Sequence, residues 1–110
     1  MAEKKKEKTK EKIANLEQSL IQYLLTKKEV DEKVSGGFRR VKGLSLNLNY
    51  EEGRKPVFTV EIGFCEAAFD ALTGYKERGS CFGIERIIVD WFQRPSVRTE
   101  IDNYLQQRKN

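Results

Sequence analysis

The stretch Arg78-Gly79-Ser80-Cys81-Phe82-Gly83 sets a thiol between glycines, at the spacing of the G-x-nucleophile-x-G elbow of acyl-transfer enzymes. A nucleophile of that kind needs a partner that takes its proton and later returns it, and that partner is almost always histidine. The chain of 110 residues contains no histidine. Lysine or a helix dipole can lower a thiol pKa, but neither shuttles protons near neutral pH. The elbow also belongs to a large parallel sheet that a chain this short cannot build. An enzyme is therefore not expected.

The same turn has the parts of an anion site. Gly79, Ser80 and the amides of Cys81 to Gly83 would stand at a helix N-terminus, with Arg78 before them and Arg86 one to two turns on. A small phosphorylated ligand or nucleotide could then be held without turnover, with Phe82 or Tyr75 to stack on a base. The plainer reading is preferred: Gly79 lets the backbone turn and Ser80 caps a helix. Metal chemistry has little to work with. The two cysteines lack the usual ligand spacing, and the acidic pairs Asp31-Glu32 and Glu51-Glu52 flank turns. No metal and no cofactor are expected.

Hydrophobic periodicity supplies the elements that must carry these residues. Ile13, Leu16, Leu20, Ile21, Leu24 and Leu25 recur at helical spacing, which predicts an amphipathic helix over about 10–34, ended by Ser35-Gly36-Gly37. Period two follows, giving strands over about 38–50 and 57–64 joined by a turn at Gly53. Pairing them puts Leu44, Leu46, Leu48, Tyr50, Phe58, Val60, Ile62 and Phe64 on one dry face. Residues 65–80 are ambiguous, with a short helix over 65–72 favoured against a continued strand, a turn and a third strand. Helices then follow over about 81–94, carrying Ile84, Ile87, Ile88, Trp91 and Phe92, and over about 96–107, capped by Ser96. The fold class is α+β: a small antiparallel sheet covered on one face by the C-terminal helices and preceded by the N-terminal helix. The expected organisation is a disordered charged arm (1–12), an amphipathic helix (13–34) and one globular domain (38–110).

Ten of the eleven aromatic residues follow position 37, so the core material lies in that domain. The net charge of +4 does not. Six lysines against three glutamates fill residues 1–12, whereas thirteen basic face fourteen acidic side chains in 13–107. Basicity is thus concentrated at the ends, where it serves solubility as readily as binding. The longest aliphatic run is Ile87-Ile88-Val89, far short of a membrane span, and the lysine-rich start lacks the apolar core of an export signal. Two cysteines separated by fifteen residues then read as reduced thiols of a cytoplasmic protein.

Binding remains. The leading expectation is a non-enzymatic protein–protein module, an assembly factor or regulator. It would contact a protein partner, or a second copy as a homodimer, through Ile13, Leu16, Leu20 and Leu24 of the 13–34 helix, the alternative being that this stripe packs onto the chain's own body. The second is nucleic-acid binding through the lysine arm, Arg39, Arg40, Lys42, Arg54 and Lys55 at the hairpin ends, and Arg98 and Asn103 on the last helix. Glu100 and Asp102 on that helix oppose it.

Overall fold

In a computed structural model describing residues 8–51 and 53–109, the two alternating runs form the centre of a five-stranded antiparallel sheet. The strands β1 (Lys8–Lys12), β2 (Ser45–Glu51), β3 (Val57–Ile62), β4 (Cys65–Asp70) and β5 (Lys76–Gly79) lie side by side in chain order. Helices α1 (Ala14–Leu25), α2 (Lys28–Lys33) and α3 (Gly37–Val41) come between β1 and β2, and α4 (Glu85–Phe92) and α5 (Pro95–Lys109) follow β5. The class is α+β, with the N-terminal and C-terminal helices against an antiparallel sheet. Among the described residues no helix is long and apolar enough to cross a membrane.

Register explains the dry face. Leu46 pairs with Val60 and Val60 with Ala67, while Leu48 pairs with Phe58 and Phe58 with Phe69. All six are buried, together with Leu16, Leu20 and Leu24 of α1 and Ile87, Ile88 and Trp91 of α4. The Trp91 indole N–H donates to Ser19 Oγ at 3.0 Å, so the two covering helices are joined by a polar contact as well as by packing. Phe58 lies between two rings, 5.1 Å from Phe69 and 5.3 Å from Phe92, both stacked. One hydrophobic cluster runs from Ile13 to Ile101, uniting the N-terminal helix with the rest.

Several expected boundaries are corrected. Lys8–Lys12 is an edge strand, with Lys8, Lys10 and Lys12 in register with Glu51, Asn49 and Asn47; the rest of the expected arm lies outside the described residues. A charged segment has little reason to order alone, but the open edge of β2 offers backbone partners, and lysines suit an edge. The long N-terminal helix is two, because the Thr26 hydroxyl donates to the Tyr23 carbonyl (2.7 Å) and Lys27 adopts an extended backbone. The strand predicted from residue 38 starts at Ser45. Residues 37–41 are helical instead, with the Phe38 N–H held by Asp31 Oδ1 at 2.8 Å. Residues 65–72 are not a helix. Pairing of β4 with both neighbours overrides the helical propensity of Glu66, Ala67 and Ala68. Nor does β3 run on as one strand, because Gly63-Phe64 forms a two-residue turn. Finally, α4 begins at Glu85, well after residue 81, and α5 begins at Pro95 itself, the N1 position that proline favours, ahead of the expected Ser96 cap.

Where β1 ends, a helix residue completes the ladder. The last register pair is Lys12 with Asn47, and the next inward amide, Leu46 N–H, donates to the buried Glu17 carboxylate at 2.9 Å. Because α1 follows β1 directly, Glu17 is delivered there by a single helical turn.

Candidate interaction site

The turn at residues 80–83 carries its own anion. The Glu85 carboxylate accepts from Ser80 Oγ (3.0 Å), from the Cys81 N–H in the shortest contact of the set, and from the Gly83 N–H (3.3 Å). Three of the donors expected for a phosphate, Ser80 Oγ and the Cys81 and Gly83 amides, are therefore taken by the chain. Arg86 is turned toward Asp90 (3.3 Å) and Glu29 (3.6 Å), and Arg78 is exposed on β5. Ser80 supports the helix by holding Glu85, in place of acting as N-cap. Partial burial raises the Glu85 pKa, but the hydrogen bonds from Cys81, Ser80 and Gly83 outweigh it and leave it below the ordinary value of 4.5. A depressed folded-state pKa stabilises above the unfolded pKa and ceases to do so as pH falls through the folded one. We expect Glu85→Gln to cost about 1 kcal/mol at neutral pH, with the gap to the parent closing below the ordinary carboxylate range. Denaturant titrations of both proteins across acid pH would check it; a gap unchanged by pH would refute the assignment.

Cys81 is buried, and its thiol contacts the Val60 carbonyl at 3.6 Å. Burial, reinforced by the Glu85 carboxylate, pushes its pKa up to about 12, the opposite of what an activated thiol needs. Both cysteines are free.

The expected nucleic-acid set is dispersed. Arg39, Arg40 and Lys42 lie on or beside α3, at the end of the sheet where β2 starts; Arg54 and Lys55 lie in the β2–β3 turn at the opposite end. Lys55 bridges Glu77 (2.9 Å) and Asp70 (3.3 Å), tying that turn to the β4–β5 turn. Hydrogen bonds to Glu77 and Asp70 raise the Lys55 pKa. Arg98 lies over the Phe92 ring and donates to Gln93 Oε1 at 3.3 Å. Asn103 is exposed on α5, in a shallow concavity of about 710 Å³ that it shares with Thr99, Glu100, Tyr104 and Gln107. Among the described residues no cationic side chain lines that concavity.

The expected partner stripe lies inside the fold, packed on the chain's own body. Ile13, Leu16, Leu20 and Leu24 are each no more than 2% exposed, because they cover the chain's own sheet. In this fold they offer nothing to a second chain.

One feature lies outside these expectations. Phe64, assigned from its alternation to the dry face, is 97% exposed at the apex of the β3–β4 turn. The first turn residue, Gly63, has φ +64, which a two-residue hairpin of this kind demands of its first position. The Arg40 side chain passes between Gly63 and Gly36. A Cβ at Gly63 would come within 2.5 Å of Arg40 Nη1, and one at Gly36 within 3.2 Å of Nε. The guanidinium carbon ends 5.7 Å from the centre of the Phe64 ring. No carboxylate among the described residues forms an ion pair with Arg39, Arg40 or Lys42. Across the turn, on the open face, Glu61 and Glu66 are directly opposite each other, and neither is ion-paired among the described residues. The corner is therefore bipolar: cations on the helical side, carboxylates on the open side, and a bare aromatic ring between them.

Fold and corner together define a class, a small α+β meander with helices on one face and an exposed aromatic turn. No known family model, curated protein or solved structure matches the chain.

Proposed function

We propose that this chain is a non-enzymatic interaction protein, an assembly factor or regulator, that docks on another protein through the corner at Phe64. The observation that carries this reading is an aromatic side chain left almost wholly in water, although the fold buries its other phenylalanines wholly or in part. Aromatic and arginine side chains together are the commonest centres of protein interfaces. A polyanion fits the corner less well, because Glu61 and Glu66 would repel its phosphates, and of the basic side chains expected to hold it Arg54 lies at the far end of the sheet while Lys55 and Arg98 are engaged.

A different protein suits the fold better than a second copy. The stripe once available for self-association is internal. At the open β5 edge, a two-fold antiparallel pairing centred within the strand would set Glu77 or Arg78 against its own copy, a like-charge contact that such edges use to avoid self-pairing. Two free thiols fit a reducing, cytoplasmic setting.

Phe64→Ser is the test. The variant should keep the parent's stability to within about 0.5 kcal/mol, because the ring makes few intramolecular contacts. It should retain about tenfold less partner after cross-linking in host extract, as expected for loss of a central apolar anchor. Equal recovery by both proteins would remove this reading, and co-purified nucleic acid lost with Phe64 would replace it by the nucleic-acid one.

A further inference from the structure

We infer that Arg40 is a preset receptor for a carboxylate of the partner protein, borne by a segment that also places an apolar side chain on Phe64. The inference rests on the docking role proposed for the Phe64 corner and adds the chemistry of what docks.

Three observations carry it. First, the arginine is ordered before any partner arrives: its side chain threads between Gly36 and Gly63, and its head lies over the Phe64 ring. Freezing a free arginine costs rotamer entropy on binding, and here much of that cost has been met by folding. Second, Arg40 is half-buried yet has no anionic partner among the described residues, although arginines withdrawn from water are normally paired. Third, the Arg40 guanidinium makes no hydrogen bond or ion pair among the described residues, and the edge of a guanidinium matches a carboxylate bidentately. Arg39 and Lys42 beside it add positive potential, and neither is ion-paired among the described residues.

Phosphate offers similar oxygen geometry, so the other side of the corner decides between the two. Glu61 and Glu66 stand two residues from the turn centre on β3 and β4. A phosphate chain carries negative charge at every step and would meet that pair. A polypeptide can present one carboxylate to Arg40, an apolar residue to Phe64, and a neutral or basic residue toward Glu61 and Glu66. Complementarity of this alternating kind is available to proteins and not to nucleic acid.

The probe is a display library of random peptides, selected on the full-length protein at physiological salt, keeping binders whose affinity drops with Phe64→Ser. The kept peptides should be enriched in Asp or Glu beside an apolar residue. Changing that acid to its amide should weaken binding by about tenfold, and Arg40→Gln should do the same, with Arg40→Lys restoring only part. The peptide-side change reads the contact without touching the protein, so a poorly folded Arg40 variant does not blunt the test. Phe64-dependent peptides with no acidic enrichment, or indifference to the amide change, overturn the carboxylate inference and leave the docking role standing. If no binder depends on Phe64, the docking role fails first. Phe64-dependent binding of an oligothymidylate at the same salt would overturn the protein partner.

Discussion

Phe58→Ala should lower the stability of the fold by roughly 3–5 kcal/mol, read as the shift of the urea midpoint at constant slope. The side chain is 1% exposed and lies between two stacked rings, one from β4 and one from α4. Removing it leaves a void bounded by sheet on one side and helix on the other. Neither can close the gap without breaking strand register or shifting α4, and with it Ile88 and Trp91, out of their packing. A loss near 1 kcal/mol would mean that the layers slide together freely, contrary to a core fixed by interlocking rings. Phe64→Ser, by contrast, should leave the midpoint where it is. Two phenylalanines six residues apart therefore separate a structural ring from an interaction ring.

Gly79→Ala should be costly for a backbone reason, by roughly 3 kcal/mol or more. Gly79 has φ +79, and a Cβ there would overlap the Glu66 carbonyl oxygen and crowd Ala67 Cα at 3.0 Å. Glu66 O also accepts the Ser80 N–H at 3.0 Å, so the displaced carbonyl would lose that bond at the point where β5 passes into the turn. The turn holds Cys81 and presents its amides to Glu85, so loss of its shape should also expose the thiol. Both effects can be followed on one sample: the thermal midpoint falls, and Cys81 becomes modifiable by a thiol reagent near neutral pH. Wild-type stability with a still-protected thiol would refute the proposed crowding. This glycine first suggested a nucleophile elbow; its demonstrable work is to let two strands approach.

The dry face was legible because alternation is a strong signal over β2 and β3, and Leu46, Leu48, Phe58, Val60 and Ile62 are buried as that alternation demands. The stripes of α1 and α4 were equally readable, since Leu16, Leu20, Leu24, Ile87, Ile88 and Trp91 recur at helical spacing. Residues 65–72 misled because Glu and Ala are good helix formers, while the strand state there depends on neighbours that become adjacent only in the fold. A signal was present in EIGFCE, where Gly-X between apolar runs is the mark of a tight hairpin. Reading it would have ended β3 at Ile62, moved Phe64 to the apex and made CEAAFD a returning strand. The Arg40–Phe64 pair was beyond reach, because it joins positions 24 residues apart through two glycines whose role appears only in three dimensions. Glu85 escapes for a local reason: nothing in the sequence marks a carboxylate just inside a helix as one that folds back onto the turn before it.

The placing of β1 has a consequence for how the molecule assembles. Strands β2 to β5 each pair with the next in sequence, and such contacts close short loops and form early. β1 can join only after α1, α2 and α3 have crossed the sheet, so its ladder spans the longest loop among the strand pairs and should form late. Amides along it should then exchange with deuterium before those of the central strands, and the lysine-bearing margin is the part of the sheet most easily opened without unfolding the remainder.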